Sequence, residues 1–339
     1  MGQTLSEPIT DKHTTQDADD RFMYAASSMQ GWRITMEDAH STLLSVLEPG
    51  KPRHSFFAVY DGHGGSAVAK YSGNHLHKKI IQEPAFAQGD YLTAIKNGFL
   101  ATDVDLKISP EYLADPAGCT AVTVLITDDM RIFCGNAGDS RAVLSNKGNA
   151  VALSFDHKPT NPGETARIRA AGGYVEFGRV NGNLALSRAV GDFEFKQNPG
   201  LRAEDQIVTV DPDIEQRQLV AGDDDFIVLA CDGIWDCMSN DQVVDFVMFC
   251  LAANKTLAET CELMMEYCLA GDSDMGGVGC DNMTVVIVAV LGDGKETKVT
   301  YEEWVTRVKA RWAAKTNRST FQPKERMGGL FSAGSDEAQ

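Results

Sequence analysis

The sequence predicts an α+β fold or a sandwich, in which antiparallel sheets are covered by helices on the outside. Two observations support this prediction. Short apolar runs rich in Val, Ile and Phe follow one another through tight turns, and helical patterns arrive in blocks rather than after every strand. A doubly wound parallel sheet would alternate strand and helix, so the pattern disfavours that class. With 339 residues the chain can bury a large core, as one domain or two.

The strand patterns begin at Phe22, after a polar stretch without periodicity, residues 1–20, that is predicted to be an arm outside the core. The segment "GWRITMED" alternates as a strand does, with Trp32 and Ile34 facing the core and Arg33 facing a cleft or solvent. The other predicted strands are short and bounded by Gly and Asp; they lie at 54–60, 119–126, 130–134, 141–144, 226–231 and 283–291.

Helical periodicity predicts helices that cover the faces of the sheets; they lie at about 66–82, 91–107, 240–253, 256–270 and 301–313. A further helix is expected to start at Asn161, followed by a proline, with Glu164 completing a capping box. The last helix carries an apolar stripe that starts at Trp304, and we expect this stripe to dock on the body of the protein. The polar residues after Ala314 predict a flexible tail.

Composition restricts the classes of partner. The chain has 48 acidic and 31 basic residues, and its net charge of -17 disfavours nucleic acid and anionic lipid while favouring cations. The longest apolar stretch, "MTVVIVAVL", is far shorter than the roughly 20 residues that span a bilayer, so no membrane span is expected.

The eight cysteines include no CxxC pair and no secretory signal precedes them. Reduced thiols in the cytoplasm or nucleus are therefore expected.

The N-terminal residues "MGQTLS" fit the pattern for acylation of Gly2, which has Ser6 at the required distance. A single acyl chain gives only weak and reversible membrane contact, and no basic cluster lies nearby to strengthen it. Acylation of Gly2 would therefore provide weak contact with a membrane at most.

Carboxylates recur at or near the ends of the apolar runs. The apolar run of "FFAVYDGHGG" stops at Asp61, and the apolar run of "FIVLACDGIWD" stops at Asp232. Asp281 comes just before the apolar run "MTVVIV". If these residues and Glu37 meet in space, they must bind metal or share protons, because like charges about 4 Å apart cost roughly 4 kcal/mol near a protein surface. An all-oxygen set favours Mg²⁺ or Mn²⁺. The alternative is that each Asp-Gly only closes a turn.

The cluster "DGHGG" follows a predicted buried strand and leads into a helix, and its glycines allow close approach of the backbone to an ion, with the Gly62 carbonyl as a ligand. Arg33 and Glu37 are predicted to lie on one face of the same strand, roughly 13 Å apart. Glu37 could then hold a metal while the Arg33 guanidinium binds two oxygens of a phosphate. A solvated Arg and Glu on an exposed strand is the alternative.

Six segments in order resemble the metal-dependent protein serine/threonine phosphatases of the type 2C (PPM) family, in its eukaryotic form: "MQGWRITMEDAH", "FFAVYDGHGG", "GNAGDSRAVL", "VNGNLALSRAVGDFEFK", "IVLACDGIWD" and "GCDNMTVVIV". The resemblance implies a sandwich of two antiparallel β-sheets flanked by α-helices, in α/β/β/α layers. It implies a catalytic domain over residues 21–295 with a flap subdomain at about 161–206. A C-terminal helix at 296–314 and a flexible tail at 315–339 would follow.

The resemblance also implies a site for two Mg²⁺ or Mn²⁺ ions. Asp61 would bridge the two ions. Asp232 and Asp281 would complete the ligands of one ion, and Glu37 and the Gly62 carbonyl those of the other.

Further residues match family positions around these ligands. Asp38 and Asn282 would orient bound waters and carboxylates. Asp139 and Asp236 match positions that hold a third, weaker metal ion in some members, together with Asp232.

The implied reaction is the hydrolysis of phosphoserine and phosphothreonine in proteins, by a hydroxide that bridges the two ions and attacks phosphorus directly. Arg33 would hold the substrate phosphate and His63 would protonate the leaving alkoxide, although a purely structural His63 is the alternative. Two other functions stay open: an inactive relative that binds phosphoproteins, and another two-metal phosphoester hydrolase. The partners expected are phosphorylated proteins, not nucleic acid, and the chain is expected to be a monomer.

Overall fold

The computed structural model describes residues 4–273 and 277–321. Their contacts divide the chain into two compact units. The first unit comprises the described parts of Met1–Met36 and Gln218–Gln339 together with Ala142–Ala152. The second unit comprises Glu37–Arg141 and Leu153–Arg217. Each unit has an antiparallel sheet, its own apolar core and its own helices.

The strands are numbered in chain order: β1 (Thr4–Ala18), β2 (Phe22–Arg33), β3 (Ala39–Leu43), β4 (Ser55–Tyr60), β5 (Gly62–His63), β6 (Gly118–Cys119), β7 (Ala121–Ile126), β8 (Arg131–Ala137), β9 (Arg141–Asn146), β10 (Asn149–Ala152), β11 (Val175–Glu176), β12 (Arg179–Val180), β13 (Val190–Gly191), β14 (Asp213–Gln218), β15 (Asp224–Ala230) and β16 (Met283–Val290).

The helices are α1 (Ala67–Gln82), α2 (Pro84–Ala87), α3 (Tyr91–Ile108), α4 (Pro110–Leu113), α5 (Pro162–Ala170), α6 (Asp232–Trp235), α7 (Asn240–Ala252), α8 (Leu257–Cys268) and α9 (Tyr301–Ala314). Short 3₁₀ helices cover Phe193–Phe195 and Ala203–Asp205. In the described residues, no helix is both long and apolar enough to cross a membrane.

The sheet of the first unit has the strand order β1-β2-β16-β15-β9-β10. The antiparallel registers pair Met29 of β2 with Met283 of β16, and Ala230 of β15 with Val285 of β16. The C-terminal ends of β2 and β15 therefore lie beside the start of β16, at one edge of the sheet. Helix α8 packs on β2 and β16, and its buried side chains join the core of this unit.

The main sheet of the second unit has the order β14-β8-β7-β4-β3, and a small sheet has the order β13-β6-β5. Ala39 of β3 pairs with Tyr60 of β4, and Ala121 of β7 pairs with Ala137 of β8. The residues that precede β3, follow β4 and follow β8 therefore lie at one edge of the main sheet. Helices α1 and α3 pack together and contact β4 and β8, respectively.

The strands predicted from the short apolar runs are present, but one expectation about the N-terminal region was wrong. Residues 4–18, which the sequence predicts to be an arm outside the core, form β1, an edge strand that pairs along β2 and has no fully buried side chain. An edge strand needs hydrogen bonds on one side only, so its mostly exposed, polar side chains do not prevent pairing. The strand that starts at Phe22 ends at Arg33, so Glu37 does not lie on it, and Ile34 is exposed rather than facing the core.

Two expectations about helix ends were also wrong. Asn161 and a proline start α5, but Asn161 makes no side-chain cap, and Glu164 accepts hydrogen bonds from Arg167, Ser187 and Arg188 instead of closing a capping box.

The first seven residues of the predicted tail are placed on the first unit. Lys315 contacts Asp245, and the Phe321 ring packs on Phe246 and Tyr267. Residues 322–339 of the tail lie outside the described residues. The apolar stripe of α9 docks on the first unit as expected, since Trp304 is fully buried and donates to the Asp225 carbonyl.

Candidate metal centre and active site

The first unit places three predicted site residues at one edge of its sheet. Arg33 is the last residue of β2, Asp232 follows β15, and Asp281 comes just before β16. The Arg33 Nη2 atom lies 2.5 Å from Oδ2 of Asp281. Gly233, next to Asp232, lies so close to the Asn282 carbonyl that an added Cβ would be 2.1 Å from that oxygen. This glycine lets the Asp232 segment lie directly against the Asp281–Asn282 segment.

Asn282 has a positioning contact that sequence reasoning did not anticipate. Its Nδ2 atom donates to the carbonyls of Gln30 at 2.8 Å and Thr35 at 2.9 Å. These two carbonyls lie on either side of Arg33 in the chain. Asn282 therefore fixes the segment that presents the guanidinium, and its role in orienting bound waters and carboxylates stays a prediction. Asp236 is exposed at the C-terminal end of α6, one helical turn from Asp232.

The second unit also gathers its predicted residues at one sheet edge. Glu37 and Asp38 precede β3, Asp61 follows β4, and Asp139 follows β8. A carboxylate oxygen of Asp38 lies within 4.8 Å of one of Asp61. Two carboxylates at such a distance repel each other unless a cation or a proton intervenes.

Backbone contacts hold the second-unit residues in place. The Asp61 carbonyl accepts from the amide of Thr120 at 2.9 Å, and the Asp61 amide donates to the Thr120 hydroxyl at 3.1 Å. An added Cβ at Gly62 would lie 2.3 Å from the Glu37 carbonyl oxygen, so only glycine fits there. The Glu37 carboxylate accepts from the amide of Gly65 at 3.2 Å. The glycines of "DGHGG" thus bring Glu37 next to the Asp61 turn.

These carboxylates fit a hard divalent cation. The predicted ligands in each unit offer only oxygen donors, which Mg²⁺ and Mn²⁺ prefer. Asp38 also lies near enough to Asp61 for the two carboxylates to contact the same ion. The outer role that the resemblance implies for Asp38 stays a prediction.

His63 has a buried acidic partner that sequence reasoning missed. Its Nε2 atom lies 2.8 Å from Oδ2 of Asp192 and 2.9 Å from Oδ1, and Asp192 is 3% exposed. Burial acts to lower the pKa of His63, but Asp192 and the more distant charges of Asp139 and Glu37 outweigh it, so the pKa is raised. A raised pKa favours the protonated ring, the form that can act as an acid.

Asp139 and Gly2 complete the predicted set. The Asp139 carboxylate is 4% exposed and contacts the ammonium group of Lys158. Sequence reasoning did not single out Lys158, because the short "DHKP" segment carries no signal of its own. Gly2 lies outside the described residues.

The sequence is similar to known proteins of one family. A family model described as "Protein phosphatase 2C" matches residues 22–275. The chain is 52% identical to "Protein phosphatase 2C homolog 2" of Schizosaccharomyces pombe, over 91% of this chain and 83% of that protein. It is 54% identical to a probable protein phosphatase 2C of Caenorhabditis elegans, over 88% of this chain and 83% of that protein.

Solved structures agree with this assignment. A phosphatase from Toxoplasma gondii is 30% identical, with a TM-score of 0.69 over 83% of this chain and 96% of that one. A serine-threonine phosphatase 2C from the same organism has a TM-score of 0.70 at 22% identity, over 83% of this chain and 99% of that one, and shows the same α+β fold. The chain thus belongs to the protein phosphatase 2C family in its eukaryotic form and is a metal-dependent protein serine/threonine phosphatase.

Proposed function

We propose that this phosphatase works with two Mg²⁺ or Mn²⁺ ions. Asp61 would contact both ions, Glu37 and the Gly62 carbonyl would bind one, and Asp232 and Asp281 the other. The observation that carries the proposal is the closeness of the Asp38 and Asp61 carboxylates, because a divalent cation bound between them would offset their repulsion. When bound, the ions supply an activated water for attack on phosphorus and offset charge on the phosphoryl oxygens.

Arg33 is proposed to bind the substrate phosphate. Its Nη2 atom contacts Asp281, and a guanidinium has five N–H donors, so other donors can bind phosphate oxygens while this contact persists. Asn282 limits the movement of the segment that carries Arg33. Binding the phosphate in one orientation lowers the entropic cost of reaching the transition state.

His63 is proposed to protonate the leaving serine or threonine oxygen. A carboxylate can only accept a hydrogen bond, so the proton between His63 and Asp192 resides on Nε2 of the ring. The proton for the leaving oxygen must then come from Nδ1. Serine and threonine alkoxides are poor leaving groups, so loss of this acid should matter more for them than for a phenolate.

A third, weaker ion is proposed at Asp139 and Asp236, together with Asp232. Support for a weak ion comes from Lys158, whose ammonium group already neutralises the buried Asp139. An ion that binds Asp139 would have to displace this contact, which reduces its net affinity.

The experiment uses a phosphoserine peptide and an aryl phosphate, each with Mn²⁺ and then with excess chelator. Wild-type protein should release phosphate from both substrates and stop when the chelator is added. A protein that binds phosphopeptide without hydrolysing it would identify an inactive relative. The variant His63→Gln should lose roughly 10²-fold or more on the peptide and clearly less on the aryl phosphate. Equal losses on both substrates would remove the acid role from His63.

We also propose where the protein acts and what it binds. Within the described residues the eight cysteines form no disulfide, which suits a reducing compartment, so we propose that the protein acts in the cytoplasm or nucleus. Its partners are phosphorylated proteins, and we expect it to act as a monomer. Acylation of Gly2 stays a prediction, which intact-protein mass spectrometry after expression in eukaryotic cells would test.

A further inference from the structure

The partner of His63 lies on an unusual piece of backbone. Asp192 follows β13 and has a φ angle of 52°, in the left-handed region of backbone conformation that residues other than glycine rarely adopt. Such a conformation is unfavourable and persists only where neighbouring contacts hold it. Asp192 is also 3% exposed, so its carboxylate has little access to water. The contacts that hold this residue therefore decide where its carboxylate lies.

Asp103 and Lys196 fix the chain on both sides of Asp192. Oδ1 of Asp103, on α3, accepts from the Gly191 amide at 2.8 Å. The Lys196 Nζ atom lies 2.9 and 2.8 Å from the two carboxylate oxygens of Asp103, and 2.8 Å from the Ala189 carbonyl. One ion pair thus binds the residues before and after Asp192 to helix α3. We call Asp103 and Lys196 the clamp.

Close packing transmits this placement to His63. In the small sheet, Gly118 of β6 pairs with Gly191 on one side and with His63 on the other. A Cβ added at Gly118 would lie 2.3 Å from Oδ2 of Asp192 and 2.7 Å from Nε2 of His63. The two side chains therefore meet directly over a glycine, with no room for a side chain between them.

Burial of the clamp ion pair is not explained by stability alone. Lys196 is 5% exposed, and buried ion pairs commonly contribute no more stability than apolar residues of similar size. A geometric role explains why charges lie here. The Asp103 carboxylate accepts from the Gly191 amide, and the Asp192 carboxylate accepts from the His63 ring. A shift of Asp103 or Lys196 would therefore move the 189–196 segment and change the orientation of the His63 ring.

We propose that Asp103 and Lys196 are positioning residues for the leaving-group acid: they hold the Asp192 carboxylate on Nε2 of His63, which leaves Nδ1 as the atom that delivers the proton. The inference rests on the proposed role of His63. The clamp residues contact each other and the backbone of Gly191 and Ala189, and we assign them no contact with the substrate. Their effect passes entirely through Asp192 and the orientation of the imidazole.

The test combines the double variant Asp103→Asn/Lys196→Met with two readouts. Removing both charges avoids leaving one buried and unpaired, which favours a folded protein. The first readout is kcat/KM for a phosphoserine peptide and for an aryl phosphate. We expect a loss of roughly 10- to 100-fold on the peptide and a loss several times smaller on the aryl phosphate. In a His63→Gln background the clamp variant should cause little additional loss on the peptide, because the acid is already absent.

The second readout does not depend on activity. Nitrogen-15 NMR of labelled histidines at alkaline pH should show the Nε2–H tautomer for neutral His63 in the wild type and a mixture of tautomers in the clamp variant. Asp105→Asn is the matched control, since Asp105 lies on the same helix and pairs with Lys79, away from the 189–196 segment. It should leave both readouts near wild type. The variant Lys196→Arg, which keeps the charge, should restore part of the peptide activity.

Equal losses on the two substrates, or an unchanged His63 tautomer in the clamp variant, would overturn the proposal. Additive losses in the His63→Gln background would do the same. Failure of the proposed function is distinguishable, because the wild type would then release no phosphate from the peptide, while the NMR readout would still report on the clamp.

Discussion

In the first unit, the Arg33 guanidinium donates a 2.5 Å hydrogen bond to the carboxylate of Asp281. The proposed phosphate ligand and a proposed metal ligand are therefore direct neighbours. The two groups are 43% and 31% exposed, so the pair itself adds little stability. Its importance lies in geometry: a phosphate bound by Arg33 would lie beside an ion bound by Asp281.

Replacing Arg33 with alanine should weaken phosphate binding more than metal binding. Hydrogen bonds to a charged group contribute about 1.5 to 3 kcal/mol, so KM for a phosphopeptide and the inhibition constant for inorganic phosphate should each rise roughly 10- to 100-fold. Mn²⁺ affinity, measured by calorimetry, should not fall, because Asp281 loses a competing cation. Arg33→Lys keeps the charge without the fork and should be intermediate. Unchanged phosphate inhibition in the alanine variant would exclude this role.

The buried carboxylate of Glu164 makes stability depend on pH. Burial acts to raise the pKa of Glu164, but hydrogen bonds from Arg188 and Ser187 and the charge of Arg167 lower it to about 2. Because the pKa is lower in the folded protein than in the unfolded chain, the stabilisation is complete above about pH 5 and is lost as the pH falls toward 2.

Glu164→Gln should therefore unfold more easily than wild type by about 2 to 3 kcal/mol near neutral pH, and the difference should shrink in acid. Denaturant unfolding at a series of pH values measures this difference. Glu111→Gln, at an exposed position of the same unit, is the control and should behave as wild type throughout. A difference for Glu164→Gln that stays constant down to pH 3 would show that the carboxylate charge is not the cause.

The segment after α9 should contribute to the stability of the first unit. Asp245 is 1% exposed; Lys315 Nζ lies 2.5 Å from its Oδ1 atom, and the Ser319 amide lies 2.6 Å from Oδ2. Lys315→Ala removes this cation from a buried carboxylate and should lower the unfolding free energy by about 3 kcal/mol. Lys309→Ala on α9 removes an exposed hydrogen bond to Asn254 and should have little effect. Equal stability of the two variants would show that this segment does not hold Asp245.

The predictable part of the site comes from local pattern. An apolar run that ends on Asp marks a strand end, and this alone located Asp61 and Asp232 at the ends of β4 and β15. The six ordered motifs identified the family, which the comparisons confirm together with the α+β fold. The metal ligands themselves stay a prediction, because what a carboxylate binds is decided by residues far apart in the chain.

The errors have a common physical origin in tertiary contacts. Alternation in "GWRITMED" continues past Arg33, yet the strand ends there, where the side chain of Asn282 bonds to the backbone on both sides. Glu164 has the spacing of a capping box, but its carboxylate accepts hydrogen bonds from Ser187 and Arg188, which lie outside its own helix. Asp192 lies in one of the six motifs, but the sequence assigned it no role. Its contact with His63 depends on the pairing of β13, β6 and β5, which a local pattern does not show.

The most direct test of the central claim is calorimetric titration of Mn²⁺ into metal-free wild type and into Asp61→Asn and Asp232→Asn, with Asp223→Asn as a control at an exposed surface pair. The central claim is that the acidic residues at the strand ends bind metal. We therefore expect the first two variants to keep their circular dichroism spectra and to bind Mn²⁺ at least about 100-fold more weakly, with phosphopeptide turnover lost, while the control matches wild type. Wild-type Mn²⁺ affinity and near-normal turnover in both variants would contradict the account.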